Sequence, residues 1–310
     1  MAKIYDLIII GAGPAGVTAA IYGSRENLKI LLIAKNIGGQ IKRKAIKIEN
    51  YPGFKEISGR DLIQKFEDHL KKFKISVIID KVNEVKKKKQ TFFVSTKKKK
   101  QFSSRSVIIA SGADARLLGI PGEKELIGKG VSYCAICDGF LYKNKTTAVI
   151  GGGNTGFETA IFLSELAKKV YILEHSPEVK ADKINQKIVK MSRKIKIITN
   201  AVLLKIKGEN FVESIEYKDN ISKETKILKI DGVFVEIGNI PSADFVNGLV
   251  DFNKRNEIKI DSKTGETKTK GLFAAGDITD IKFKQIITAA GQGAIAGLSA
   301  SKYYYKGRKL

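Results

Sequence analysis

Cys134 and Cys137 are the only cysteines of the chain, set two residues apart in Cys134-Ala-Ile-Cys137-Asp138-Gly139. Two thiols at this spacing can close a small disulfide ring and reopen it by thiol–disulfide exchange. Zinc takes four ligands, and the two histidines, His69 and His175, lie far from the pair in sequence. A redox dithiol is therefore a better reading than a half zinc site or two inert thiols. Asp138 adjoins the pair, where a carboxyl group can carry the proton that a leaving thiolate needs. A turn or N-cap role is the other reading of the same residue.

Two glycine clusters carry the second kind of chemistry. Gly11, Gly13 and Gly16 form G-x-G-x-x-G, and so do Gly151, Gly153 and Gly156, with Asn154 and Thr155 inside the second loop. The first glycine allows a tight turn, the second admits a pyrophosphate to the backbone, and the third lets helix and strand pack closely. Phosphate charge then rests on the N–H groups that open the helix. Eighteen residues past the third glycine stands Ala34 in the first cluster and Glu174 in the second. A carboxylate there accepts hydrogen bonds from a ribose 2′-OH and repels a 2′-phosphate, which favours NADH over NADPH. A capping or solvated glutamate is the competing reading, and His175 beside it can instead touch a phosphate. Nicotinamide delivers hydride, whereas a disulfide takes electrons at sulfur, and a flavin bridges the two. The expected cofactors are FAD at the first motif and NADH or NADPH, NADH favoured, at the second.

The surrounding segments supply the elements these sites need. Residues 4–10 and 146–150 are continuous apolar runs, each followed by its glycine turn, an amphipathic helix and a second apolar run. Runs apolar on both faces are buried parallel strands, and a helical crossover between two of them makes a βαβ unit. Two units about 140 residues apart mean two nucleotide-binding domains. Between them lie a helix near residues 58–73, a strand at 75–79 and a lysine-rich hairpin; β-rich sequence and a Gly/Ala-rich helix at about 284–304 follow the second. The last segment has no glycine fingerprint and is expected to complete the first domain. The fold class is α/β, with two Rossmann-like domains of three-layer ββα type, the second inserted into the first. The expected boundaries are 1–114 and 243–310 for FAD, and 115–242 for the NAD(P)H domain with the dithiol.

Three hundred and ten residues suit two domains, at roughly 100–200 residues each. With 43% hydrophobic residues the chain buries ordinary cores, and two cysteines exclude a disulfide-stapled secreted scaffold. No run approaches the roughly 20 apolar residues of a membrane helix, and the N-terminus does not read as a secretory signal. The expectation is a cytoplasmic protein with no membrane partner. The net charge is +24, from 56 Lys+Arg against 32 Asp+Glu. Only eight of the 56 are arginine, the residue that phosphate and nucleic-acid sites favour, and tryptophan is absent. The runs at 86–89 and 97–100 therefore read as solvated surface or as a steering field for an acidic protein, with nucleic acid not expected.

The chain resembles the low-molecular-weight thioredoxin reductases of bacteria and archaea over nearly its whole length. The resemblance rests on IIIGAGPAG, Gly38-Gly39-Gln40, Glu49-Asn50-Tyr51-Pro52-Gly53, VIIASGADARLLGIPGE, GVSYCAICDGF, AVIGGGNTGFETAIFLSELAKKV, GLFAAGDI and KQIITAAGQG. It implies that Gly11, Gly13, Pro14 and Gly16 cradle the FAD pyrophosphate, and that Gly39, Gln40 and Asn50 lie along the flavin. Gly276 and Asp277 would meet the ribityl chain, and Gln285 and Ile286 would offer a helix start to the flavin pyrimidine edge. It also implies that Cys137 receives electrons from flavin, that Cys134 attacks the substrate disulfide and that Asp138 is the acid–base. A homodimer, a rotation between domains and a thioredoxin partner belong to the same implication. Members that use NADPH show H-R-R-x-x-x-R where this chain has Glu174-His175-Ser176-Pro177-Glu178-Val179-Lys180. Losing two arginines removes charge-assisted bonds to a 2′-phosphate, leaving NADH, or a donor such as ferredoxin, flavodoxin or a reduced deazaflavin. The Lys42-Arg43-Lys44-Ala45 run also departs from the family's hydroxyl-rich stretch. A reductase of a peroxiredoxin- or glutaredoxin-like partner is the further alternative.

Overall fold

The computed structural model describes residues 4–41, 48–246 and 248–307, so the run at 42–45 lies outside the described residues. The chain divides into two compact units, one of Met1–Asp114 with Ile240–Leu310 and one of Ala115–Asn239.

In the first unit the strand Ile4–Ala12 is the hub. It pairs in parallel with Ile30–Ile37 on one side and Gln101–Ile109 on the other, and Ser76–Ile79 extends the sheet. Gln101–Ile109 has two halves with different partners. Its start pairs antiparallel with Thr91–Thr96, and its end pairs in parallel with Leu272–Ala274, which the chain supplies after its excursion through the second unit. Period-two alternation assigns the hub's side chains to two cores. Leu7 and Ile9 pack with the helices Pro14–Arg25, Gly59–Lys72 and Ile286–Lys306. Ile8 and Ile10 pack with Val85, Phe92 and Val94 of the antiparallel strands. Helices, parallel sheet and antiparallel strands are thus three layers.

The helices start where capping chemistry lets them. Pro14 sits in the first turn after Gly13, where its missing N–H removes nothing. Ser58 accepts the Asp61 N–H at 3.0 Å to begin Gly59–Lys72. The lysines of residues 86–88 stand in the strand Val82–Lys88, at the sheet's edge, where charge discourages pairing with another chain. By sequence, the first unit holds 36 Lys+Arg against 17 Asp+Glu, so it carries +19 of the +24.

The second unit repeats the design. Its parallel sheet runs in the spatial order Ile195–Ile198, Lys169–Leu173, Thr146–Ile150, Gly232–Val235, Val131–Ser132. Val149 faces Phe157 and Leu163 of the helix Asn154–Leu166, while Ala148 and Ile150 face Leu203, Ile206 and Ile215 of a three-stranded antiparallel sheet. No helix among the described residues is long and apolar enough to cross a membrane.

Candidate active site

In the first unit the loop of Gly11, Gly13 and Gly16 joins the hub strand to its helix. Gly11 has φ +109°, a conformation costly for any residue with a Cβ, and a Cβ there would strike the Ala110 carbonyl. A Cβ on Gly16 would strike the Gly11 carbonyl, whereas one on Gly13 would meet nothing within 4 Å. The loop is packed beneath and open above, the shape a pyrophosphate needs. Gly39 comes close to the Gly13 backbone. Gln40 donates from Nε2 to the Ala113 carbonyl and, at 3.2 Å, to Asp277 Oδ2. Asn50 Nδ2 donates to Gln285 Oε1 at 3.2 Å. Gln285 caps the helix that Ile286 begins, and its side chain and that of Thr288 form a capping box. Gly276 N–H donates to Gln292 Oε1 at 2.8 Å. The candidates of the first unit, drawn from five separate stretches of sequence, therefore converge on one site, and they fit a flavin dinucleotide.

Sequence reasoning passed over Lys284 there. Its Nζ donates to the carbonyls of Asp277 at 2.8 Å and Thr279 at 3.0 Å and pairs with Glu257 Oε1 at 2.6 Å. This partly buried cation ties the turn after Gly276 to the start of the last helix. A lone lysine in a lysine-rich chain gives no signal of such a role.

The second unit's loop has the same form. Gly151 has φ +124°, a Cβ on Gly156 would strike the Gly151 carbonyl, and one on Gly153 would meet nothing within 4 Å. Thr155 lies in the first turn of Asn154–Leu166, and Asn154 Oδ1 accepts the Asp182 N–H at 2.7 Å. Glu174 is not an exposed strand-end residue: it is 6% exposed. Its Oε2 accepts the Gly152 N–H at 2.7 Å, and its Oε1 accepts the Ser176 N–H at 2.9 Å and pairs with His175 Nδ1 at 2.8 Å. Burial raises its pKa, but the bonds from Ser176, Gly152 and His175 outweigh burial and hold the carboxyl below its ordinary value. An ionised carboxylate is thus fastened to the glycine loop. His175 is exposed and lies 3.2 Å from the Ser176 hydroxyl, and the exposed Lys180 donates its N–H to the Gly152 carbonyl. The stretch offers two carboxylates, Glu174 and Glu178, and a single lysine where a 2′-phosphate clamp needs several cations.

Cys134 and Cys137 form a disulfide with Cα atoms 5.3 Å apart. The pair opens the short helix Ala135–Asp138, with Cys134 at its N-cap, and the Cys137 and Asp138 N–H groups donate to the Cys134 carbonyl at 3.2 and 3.1 Å. A helical turn brings two residues three apart to one side, which is why C-x-x-C closes so readily. Asp138 Oδ2 accepts the Ser132 hydroxyl at 2.6 Å, and Ser132 Oγ accepts the Cys134 N–H at 3.1 Å. Burial pushes the Asp138 pKa up, and the Ser132 bond opposes it. A carboxyl whose pKa is raised above its ordinary value holds a proton more readily than an ordinary aspartate does. Tyr133, between Ser132 and Cys134, donates its hydroxyl at 2.8 Å to Glu123, a fully buried carboxylate that also accepts the N–H groups of Leu118 and Gly119. Burial, then that bond, drives the tyrosine pKa well up. Ser132 and Tyr133 lie inside the run GVSYCAICDGF, but only the folded turn shows what they hold.

Two glycine-loop domains, one bearing a closed C-x-x-C ring beside a half-buried carboxyl, define a dithiol oxidoreductase fold. The family model for pyridine nucleotide-disulphide oxidoreductases matches residues 5–293, and the chain belongs to that family. It is similar to the thioredoxin reductase of Bacillus subtilis, 40% identical over 302 residues that cover 97% of this chain and 95% of the relative. It is equally similar, 40% identical over 300 residues, to an alkyl hydroperoxide reductase subunit of Staphylococcus aureus. That match takes in 96% of this chain but spans only 59% of the relative's length. Among solved structures, the thioredoxin reductase of Streptococcus pyogenes superposes with a TM-score of 0.93 at 35% identity, covering 99% of this chain and all of that one.

Proposed function

We propose that the chain is an FAD-dependent thioredoxin-disulfide reductase that takes its electrons from NADH. The observation that carries this reading is the dithiol: a C-x-x-C disulfide lies on a helical turn with a serine-bonded carboxyl of raised pKa, in a unit that also holds a dinucleotide loop. FAD in the first unit, when bound, supplies the conversion of a hydride into electron pairs usable at sulfur. Gly11, Gly13, Pro14 and Gly16 hold its pyrophosphate; Gly39, Gln40, Asn50, Gly276, Asp277, Gln285 and Ile286 hold the rest. Gly151, Gly153, Asn154, Thr155 and Gly156 hold the nicotinamide dinucleotide, with Glu174 turned against a 2′-phosphate and His175 beside it.

Exchange at the dithiol follows from the residues. Asp138 takes the proton of the Cys134 thiol, and the thiolate attacks one sulfur of the substrate disulfide. The leaving sulfur receives that proton, and Cys137 then displaces the second sulfur with its own proton. The substrate gains two electrons and two protons, and the Cys134–Cys137 disulfide reforms. The apolar side chains Ile136, Phe140 and Leu141 are exposed around the ring, a surface suited to a protein disulfide. The exposed Ile287, Ile295 and Leu298 of the last helix support a homodimer. A second reading, delivery of electrons to a peroxide-reducing partner, is favoured by the similarity to the alkyl hydroperoxide reductase of Staphylococcus aureus.

The test is an anaerobic titration of the oxidised protein, following the flavin absorption band. NADH should bleach it at lower concentration than NADPH. Bleaching by NADPH alone overturns the donor assignment, and bleaching by neither moves the donor to a ferredoxin, flavodoxin or deazaflavin. Thioredoxin and a peroxiredoxin, offered as competing acceptors, separate the two readings of the substrate.

A further inference from the structure

Ser132 is 5% exposed and touches both chemical halves of the dithiol turn. Its Oγ lies 2.6 Å from Asp138 Oδ2, 3.1 Å from the Cys134 backbone nitrogen and 3.4 Å from the Cys134 carbonyl oxygen. A hydroxyl has one proton to donate and two lone pairs with which to accept. With Asp138 ionised, the serine proton points at Oδ2. With Asp138 protonated, its own O–H donates to Oγ, and the serine proton turns to the Cys134 carbonyl. The Cys134 N–H keeps its acceptor in both states. Neither state strands a polar group in a site where an unmade hydrogen bond is expensive.

We propose that Ser132 is a positioning residue for thiol–disulfide exchange, holding Asp138 against the dithiol turn in both of its protonation states by rotating one hydroxyl proton. The proposal rests on the acid–base role of Asp138 given above. It adds the reason why the carboxyl can trade a proton with Cys134 without the turn rearranging.

The groups facing Asp138 leave its titration visible. Tyr142, on the 3-10 turn Gly139–Tyr142, is pushed up to about 12 by burial and by the charges of Asp138 and Asp231, so it stays neutral to pH 9. Tyr133 is held higher still. Asp231 is engaged by the Thr146 N–H at 2.8 Å. Among these groups, Asp138 and the two thiols of the reduced ring are the ones whose proton exchange drives the reaction. The Ser132 bond favours the ionised carboxyl, so deleting it raises the Asp138 pKa. The acidic limb of thiol attack then moves to higher pH.

Dithionite-reduced holoenzyme is mixed with 5,5′-dithiobis(2-nitrobenzoate) in a single turnover from pH 5 to 9. Wild type is compared with Ser132→Ala, Ser132→Gly, Ser132→Thr and Asp138→Asn, each checked for flavin content and thermal midpoint. Both hydroxyl deletions should move the acidic limb to higher pH and slow attack at its foot by about tenfold, the size of one lost hydrogen bond to a charged group. Ser132→Thr should restore limb and rate. A limb that stays in place in Ser132→Ala and Ser132→Gly, while Asp138→Asn abolishes it, overturns the role of Ser132 alone. A limb unchanged in Asp138→Asn overturns the acid–base role on which it rests.

Discussion

Glu174→Gln tests whether the charge at the end of the second unit's strand organises its glycine loop. The carboxylate accepts N–H groups from Gly152 at 2.7 Å and Ser176 at 2.9 Å, one on each oxygen. An amide keeps one oxygen and puts an NH2 where the other was, so one backbone donor then faces another donor. Losing a single hydrogen bond to a charged group costs about 2 kcal/mol, and leaving its partner buried does not relieve that cost. For a domain of this size that is a fall of roughly 5–10 °C in thermal midpoint. The pH dependence carries the sharper signature. The folded carboxyl is held below its ordinary value of 4.5, so its stabilisation is fully present above about pH 4.5 and is lost as pH falls through the depressed folded value. Urea melts of wild type and Glu174→Gln should therefore differ fully at pH 7 and draw together as pH falls below 4.5. The same substitution should weaken NADH binding, since the Gly152 N–H no longer has a fixed acceptor. Equal separation of the two proteins at pH 7 and pH 3.5 would refute the argument.

Four further outcomes follow from the same geometry. Cys137→Ser should end thioredoxin reduction while bleaching of the flavin by its donor persists, checked by stopped-flow absorbance alongside turnover. Gly156→Ala drives a Cβ into the Gly151 carbonyl; it should raise the NADH dissociation constant at least tenfold in a fluorescence titration, with bound FAD unchanged. Lys284→Met leaves the Glu257 carboxylate uncompensated and should cost about 3 kcal/mol or more, read as a lower thermal midpoint and as FAD lost on gel filtration. His175→Arg with Ser176→Arg, Glu174 kept, should tighten NADPH binding about tenfold or more through charge-assisted phosphate bonds and leave NADH binding little altered.

Much of the fold was legible because its signals are local. The glycine spacings, the continuous apolar runs and the C-x-x-C pair each depend on residues within a dozen positions of one another. Strand register and helix periodicity then follow from backbone geometry. The helix expected near 58–73 is Gly59–Lys72, and the last helix begins at Ile286 behind its Gln285 cap. The paired lysine runs are a different case. Sequence showed a charged hairpin; the sheet order showed that residues 86–88 guard an edge, and the division into units showed that the first carries most of the charge.

What the sequence by itself determined is the chemistry on offer: a dithiol, two pyrophosphate loops, a carboxyl at each decisive place, and no arginine pair beyond Leu173. Tertiary structure alone decided how those groups are held. Glu174 could be read as solvated from its position at a strand end, yet the 174–182 stretch folds back on the Gly152 loop and buries it. Asp138 is an ordinary aspartate in sequence; its raised pKa and its serine partner exist only because the turn brings residues 132, 134 and 138 within hydrogen-bond reach. Gln40 meets Asp277 across 237 positions of chain, and Asn50 meets Gln285 across 235. Short-range pattern fixes what a residue can do, while burial and partners, which depend on contacts distant in sequence, fix the protonation state and direction in which it does it.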